Sequence, residues 1–194
     1  RMFNTFFFSR LSATVDGYDY KGVSRWGMKL GLQLDAVDNI LIPINLMRSH
    51  WVLVNVNVKE RVLQFYDSLS VKDTSGVVPI VRRWLHDEVR TRLGEDAAAE
   101  WAVDTWQVLE DAGLPAQEDS GSCGVFVLAA ADCFSLGCPL SFSQREMGLL
   151  RGRVALALFF DDLHCPLDLL GDHPFADPVP GVDDVWGDGG DEDA

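Results

Sequence analysis

What is missing comes first. The last 34 residues (161–194) contain no lysine or arginine, only ten aspartates and one glutamate among their charged groups. That stretch accounts for −11 of the chain's formal charge of −14, so the preceding 160 residues are close to balanced at −3. No basic patch or stripe is present, which argues against a nucleic-acid partner. Cysteine is scarce: four in 194 residues (Cys123, Cys133, Cys138, Cys165), with no CxxC pair. This is not the pattern of a disulfide framework. His164, Cys165 and His173 lie close in sequence, but without a second cluster they make a poor zinc signature, and no metal is expected. Long apolar runs are also lacking. The segment "VALALFF" at 154–160 is too short to span a bilayer. The opening "RMFNTFFFSR" has neither the h-region nor the cleavage site of a signal peptide. A reducing intracellular setting is the expectation. No internal repeat is visible.

What is present is the composition of a globular domain, 47% hydrophobic and 10% aromatic, in a chain long enough to bury a real core. Short helical turns are predicted around 3–12 and 22–30, joined by loop because glycines interrupt the segment. "NILIPINL" (39–46) reads as a short strand demoted at its middle by Pro43. "HWVLVNVNV" (50–58) alternates, with Val52, Val54, Val56 and Val58 on one face and Trp51, Leu53, Asn55 and Asn57 on the other. "RVLQFYD" (61–67) is a second strand, and "KE" between them is a candidate two-residue turn. A turn centred there makes paired positions sum to roughly 119; His50 and Asp67 sum to 117, which leaves the exact register open but brings the two to adjacent strand ends.

Residues 77–96 form an amphipathic helix stopped at Gly94, with Ile80, Val81, Trp84, Leu85, Val89 and Leu93 at helical spacing. Residues 99–111 are compatible with helix or strand. "CGVFVLAAADCFSLG" (123–137) is a helix apolar nearly all round, and so belongs in the centre of the fold. A long helix over 141–163 opens on the capping-box pattern Ser143-x-x-Glu146. Beyond it, prolines, glycines and aspartates predict a solvated acidic tail.

Chemistry concentrates where the loop "LPAQEDSGS" meets that buried helix. Cys123 stands in its first turn, where unpaired backbone N–H groups carry partial positive charge and favour a thiolate nucleophile. Such a nucleophile needs a base, for which His50 is the candidate, with Asp67 to fix its tautomer and orientation. Gln117, six residues before the cysteine, offers a side-chain N–H₂ that, with the Cys123 backbone N–H, could stabilise an oxyanion. Each residue also has a plainer reading. Cys123 could be a small core residue, His50 a surface histidine at a strand end, and Asp67 the start of a turn before "SLS".

The segments "YKGVSRW", "INLMRSHWVLVNVNVKERVLQFYDSLS" and "LPAQEDSGSCGVF", in that order, resemble the Ulp/SENP cysteine proteases that process and remove SUMO. The likeness runs over about residues 3–160, with the family's order of His, Asp, Gln and Cys. It implies His50 as base, Asp67 as its orienter, Cys123 as nucleophile and Gln117 in the oxyanion hole. It also implies that Trp51 and Trp26 line a narrow tunnel for the modifier's Gly-Gly tail, flat indoles excluding any residue that bears a side chain. Ordinary core packing is the alternative for both tryptophans.

Two departures stand out. The family usually has Asp immediately before the cysteine, where this chain has Ser122; Ser120 and Gly121 are also displaced from the usual order. A serine still hydrogen-bonds locally, so tuning rather than loss of activity is expected. The family's "WLND"-like helical segment, which precedes "RMFNTFF", is absent here. Either a preceding piece has been lost from the sequence, or the domain lacks it and is less stable.

The expectation is therefore an α+β cysteine-protease fold: a central mixed β-sheet flanked by helices, with the nucleophile at the N-terminus of a buried helix. Residues 1–170 would be the catalytic domain and 171–194 an acidic, disordered tail. The implied activity is cleavage after the Gly-Gly tail of SUMO, in deconjugation or precursor maturation, by a monomer without cofactor. The partners would be SUMO and SUMO-conjugated proteins, with no nucleic acid and no membrane insertion, in the nucleus or at the nuclear envelope rather than in the cytoplasm. The alternatives are the same chemistry on another modifier such as NEDD8, or a catalytically weak module that binds SUMO without cutting it.

Overall fold

The computed structural model describes residues 1–70, 72–73, 75–110 and 114–160, with backbone only for residues 159 and 160. The acidic tail, with His164, Cys165 and His173, lies outside the described residues. Two compact units divide the chain, one covering Arg1–Leu140 and the other beginning at Ser141. In the first, three short helices α1 (Phe7–Leu11), α2 (Tyr20–Val23) and α3 (Trp26–Lys29) precede three strands, β1 (Asn39–Leu46), β2 (His50–Asn57) and β3 (Val62–Tyr66). Helices α4 (Val77–Leu93) and α5 (Glu95–Trp101), strand β4 (Gln107–Leu109) and helix α6 (Cys123–Leu136) complete it. The second unit holds α7 (Met147–Phe160), preceded by a 3₁₀ turn. Its capping box is formed: Arg145 N–H donates to Ser143 Oγ, and Ser143 N–H donates to Glu146 Oε2 at 2.7 Å.

The sheet is mixed, in the order β1-β2-β3-β4, with antiparallel pairs β1–β2 and β2–β3 and a parallel pair β3–β4. The β2–β3 register pairs Leu53 with Tyr66 and Val54 with Phe65, so partners sum to 119 as the hairpin pattern predicts. The turn is longer than the two residues "KE". Asn57 pairs with Val62, leaving residues 58–61 between the strands. Asn57 Oδ1 accepts from Glu60 N–H at 2.9 Å, and Arg61 takes a positive φ of 56°. Local side-chain bonding by the asparagine favours this wider turn.

Pro43 does not interrupt β1, which runs unbroken through eight residues as an edge strand. Leu41 bonds outward, its N–H to Arg1 and its carbonyl to Phe3 N–H. Pro43 shares that parity, so its missing N–H faces the outer edge and costs no bond to β2. The segment 99–111 is divided: it ends α5, makes a 3₁₀ turn at Val103–Thr105 and then forms β4. Arg82 of α4 holds that turn by donating to the carbonyls of Val103, Asp104 and Trp106 at 2.7–2.9 Å.

Both faces of β2 are buried. Val52, Val54 and Val56 join Ile40, Ile42, Ile44, Leu63 and Phe65 in one apolar cluster with Phe3, Phe7 and Leu11 and with Val81, Trp84, Leu85 and Val89 of α4. The face carrying Leu53 and Asn55 is closed by α6, which packs on β2 and β1. Asn55, wholly buried, donates Nδ2 to Asn39 Oδ1 at 3.0 Å and to Gln64 Oε1 at 2.7 Å, an amide ladder across three strands. Helix α6 is central as its composition predicts, though not buried all round. Leu128 and Leu136 are exposed, while Phe126, Ala129, Ala130 and Cys133 are buried.

One buried charge shapes the other side. The Glu88 carboxylate of α4 accepts from the Tyr20 hydroxyl at 2.9 Å and pairs with Arg92 at 3.4 Å. Burial pushes its pKa above the ordinary carboxylate range, and the Tyr20 bond and Arg92 only partly offset this. The folded state thus holds the Glu88 proton more tightly than the unfolded chain does. Its contribution to stability is full below the unfolded value and is lost as pH rises through the folded one. Glu88→Gln escapes that loss, so the melting temperature of the variant relative to the parent should climb as pH rises above the ordinary glutamate value of about 4.3. A flat or falling difference in thermal melts would show that ion pairing, not desolvation, governs Glu88.

Candidate active site

Four of the candidate residues gather at one end of the sheet. His50 opens β2, and Asp67 directly follows β3. Because the register sums to 119, the two lie diagonally across neighbouring strand ends, and His50 Nε2 meets Asp67 Oδ1 at 2.7 Å. The same Oδ1 accepts from Leu69 N–H at 2.8 Å, while the Asp67 carbonyl accepts from Ser70 N–H at 2.9 Å. Asp67 therefore starts a turn and holds the imidazole at once. With Nε2–H donated to the carboxylate, Nδ1 is the ring nitrogen left to take a proton. The His50 side chain is only 19% exposed and that of Asp67 7%, so water screens the pair poorly.

The loop that leads to Cys123 is stitched to this strand end at alternate residues. Tyr66 donates its hydroxyl to the Pro115 carbonyl at 2.8 Å, and burial keeps that phenol protonated. Ser68 binds Gln117 twice: its carbonyl accepts from Gln117 N–H at 2.7 Å, and its Oγ donates to Gln117 Oε1 at 2.6 Å. This fixes the Gln117 amide with its oxygen toward Ser68. Its Nε2 donates one hydrogen to the Asp119 carbonyl at 2.5 Å and has a second hydrogen to give.

Asp119 organises the final step. Its Oδ1 accepts from Gly121 N–H at 3.0 Å and Ser122 N–H at 2.8 Å, and its Oδ2 accepts from Ser122 Oγ at 2.5 Å. Ser122, fully buried, thus closes the loop from the position before the cysteine. Cys123 then begins α6 and is 7% exposed.

Trp51 joins the same place. A Cβ added at Gly124 would lie 3.4 Å from Trp51 Cδ1, so the indole rests against the residue after the cysteine. Trp26 is not brought there. It packs on Phe7, ring centroids 6.0 Å apart, and borders a cavity with Met2, Phe3, Lys29 and Leu30. Trp26 thus has one side on the core cluster and another on open space.

Two contributors escaped sequence reasoning. Ser68 read only as part of a turn, and its partner lies 49 positions away. Asp119 did carry a signal: an Asp three residues before Ser122, ahead of a helix, is a pattern that binds its own following backbone.

A family model, the C-terminal catalytic domain of the Ulp1 protease family, matches residues 1–162. Ubiquitin-like-specific protease 1A of Arabidopsis thaliana is 36% identical over 155 residues, which is 79% of this chain and 30% of that protein. Sentrin-specific protease 5 of Mus musculus is 34% identical over 152 residues, 78% of this chain and 18% of its own. The chain thus spans less than a third of either relative. Among solved structures, the C-terminal Ulp1 protease domain in complex with SMT3, the yeast ortholog of SUMO, superposes with a TM-score of 0.68 at 28% identity. That superposition covers 82% of this chain and 67% of the solved one. With a mixed sheet, a His–Asp pair at its end and a cysteine opening the helix behind it, the chain belongs to the Ulp1 protease family.

Proposed function

We propose that residues 1–170 form a thiol protease domain that cleaves after the Gly-Gly tail of SUMO, as an isopeptidase on conjugates and in precursor maturation. The observation that carries this reading is the 2.7 Å bond from His50 Nε2 to Asp67, which presents Nδ1 as a proton acceptor at the sheet end where α6 begins. The choice of SUMO is supported by the likeness to a protease domain solved with the yeast ortholog of SUMO. On family likeness alone, the chain works as a monomer in the nucleus or at the nuclear envelope.

In this reading Cys123 passes its thiol proton to His50 Nδ1, and the sulfur attacks the carbonyl carbon of the last glycine. The oxygen takes the negative charge, stabilised by the second hydrogen of Gln117 Nε2 and the Cys123 backbone N–H. Collapse breaks the C–N bond. The departing amine, a lysine ε-amine in a conjugate, takes the proton from His50 and leaves a thioester. Water, giving a proton to His50, attacks that carbonyl, and the thiolate departs and is reprotonated. Asp67 orients the imidazole and stabilises its charged form throughout. Trp51, lying over Gly124, walls the path of the tail and rejects a substrate with a side chain at that point.

A SUMO bearing an electrophile at its C-terminus should label the protein covalently, and Cys123→Ser should prevent labelling while still binding SUMO. Intact-mass measurement decides this. Labelling of the serine variant would place the nucleophile elsewhere, and faster labelling by a NEDD8-ended probe would change the substrate.

His50→Ala should lower kcat/KM on a SUMO C-terminal reporter by at least about a hundredfold, the range for a positioned proton acceptor. Asp67→Asn should cost less, because it disturbs orientation without removing the base. Values within a few-fold of the parent for both would refute the pair's role.

Gln117→Ala should lower kcat more than it alters KM, since its bond strengthens only as charge develops on the oxygen. Ser68→Ala should produce a weaker version of the same split, because it frees the amide to turn its oxygen toward the substrate. Steady-state kinetics on the reporter test both. A pure KM effect would make this pair a part of the loop and nothing more.

A further inference from the structure

The hairpin that delivers His50 has a tip that breaks a local rule. Strands β1 and β2 pair up to Leu46 and His50, and Ser49 N–H donates to the Leu46 carbonyl at 3.0 Å. Met47 and Arg48 are the central residues of that turn, with φ of 49° and 60°. Among the described residues this is the one place where two successive non-glycine residues take positive φ. A turn of this kind is met without strain by Asn-Gly, and a methionine followed by an arginine is unfavourable in it. Packing does not account for the choice. Met47 is 93% exposed, Arg48 is exposed, and among the described residues Arg48 makes no ion pair. Strain kept without a packing return, two residues from the imidazole, is what a contact surface for substrate looks like.

The direction of the contact comes from the order along β2. Trp51 lies over Gly124 and takes the part of the substrate before the scissile bond. His50 hands its proton to the amine that leaves. Met47 and Arg48 lie in the turn just before His50, on the other side of it from Trp51 along the chain, which is the side toward the leaving amine in this reading. We infer that the Met47–Arg48 tip reads the protein to which the modifier is attached, favouring a target lysine flanked by an apolar side chain and a carboxylate. This rests on the protease reading of the site. Methionine offers an adaptable apolar contact, and arginine a cation shaped for a carboxylate.

Two kinds of substrate separate the proposal from the reading beneath it. One is SUMO ending in an aminocoumarin, which has no protein past the scissile bond. The other is SUMO joined by an isopeptide bond to a lysine peptide, with either glutamates or lysines as neighbours. For the full chain, kcat/KM relative to the reporter should be about tenfold higher on the glutamate conjugate than on the lysine conjugate. Arg48→Glu should reverse that order. The double change Met47→Asn with Arg48→Gly suits the turn, so it should flatten the ratio while the melting temperature holds or rises. Equal ratios on the two conjugates in the parent would overturn the inference. So would a double variant that loses reporter and both conjugates alike, since the tip would then serve only to place His50. Absence of reporter turnover by the parent would instead remove the protease reading, and this inference with it.

Discussion

Everything at the site depends on two consecutive residues, Asp67 and Ser68, where β3 ends. One faces back to β2 and holds His50 at 2.7 Å; the other faces forward and holds Gln117 at 2.6 and 2.7 Å. From Gln117 the contacts continue to Asp119, to Ser122 and by covalent bonds to Cys123 and Gly124, then across to Trp51 beside His50. The circuit is closed. A shift at any member is passed to its neighbours through short polar bonds, which is how loop residues acquire the positional precision of a sheet.

Energetically the stitching is balanced rather than strong. Because β4 already pairs with β3, joining Ser68 to Gln117 closes only the short stretch beyond Leu109, at an entropic cost of about 2 kcal/mol beyond a constant. The two Ser68–Gln117 bonds and the Tyr66–Pro115 bond contribute roughly 1 kcal/mol each, so they about cancel it. Net stability has to come from the helix at the end of the loop. Helix α6 buries Cys123, Phe126, Val127, Ala129, Ala130, Ala131 and Cys133, and it closes the second face of the sheet. Burial at about 25 cal/mol per Å² holds the helix, and the polar bonds decide where its first residue stands.

Ser122 shows how a departure from family habit is accommodated. The residue before the nucleophile is buried, so any polar group there needs a partner. Asp119 supplies it, taking the Ser122 hydroxyl and backbone N–H on separate carboxylate oxygens. An acidic group remains in the loop, three residues earlier, with a short hydroxyl in place of a second carboxylate.

Local pattern was enough for the elements whose physics is local. The β2–β3 hairpin, and with it the approach of His50 to Asp67, came from alternation around a turn, because pleat and pairing are set within a few residues; the exact register was decided by the structure. Helix α4 and the α6 boundary at Cys123 came from apolar spacing and from the loop before it. Tertiary structure decided the rest. The width of the 58–61 turn depended on an asparagine side chain, and the continuity of β1 through Pro43 on which edge its nitrogen faces. Trp26 was packed on Phe7, while Trp51 was seated against Gly124, which lies 73 positions further along the chain. Ser68 and Gln117, 49 positions apart, share no periodicity that would pair them. Periodicity tells which face a side chain takes on its own element, but only packing brings two distant elements to within one hydrogen bond.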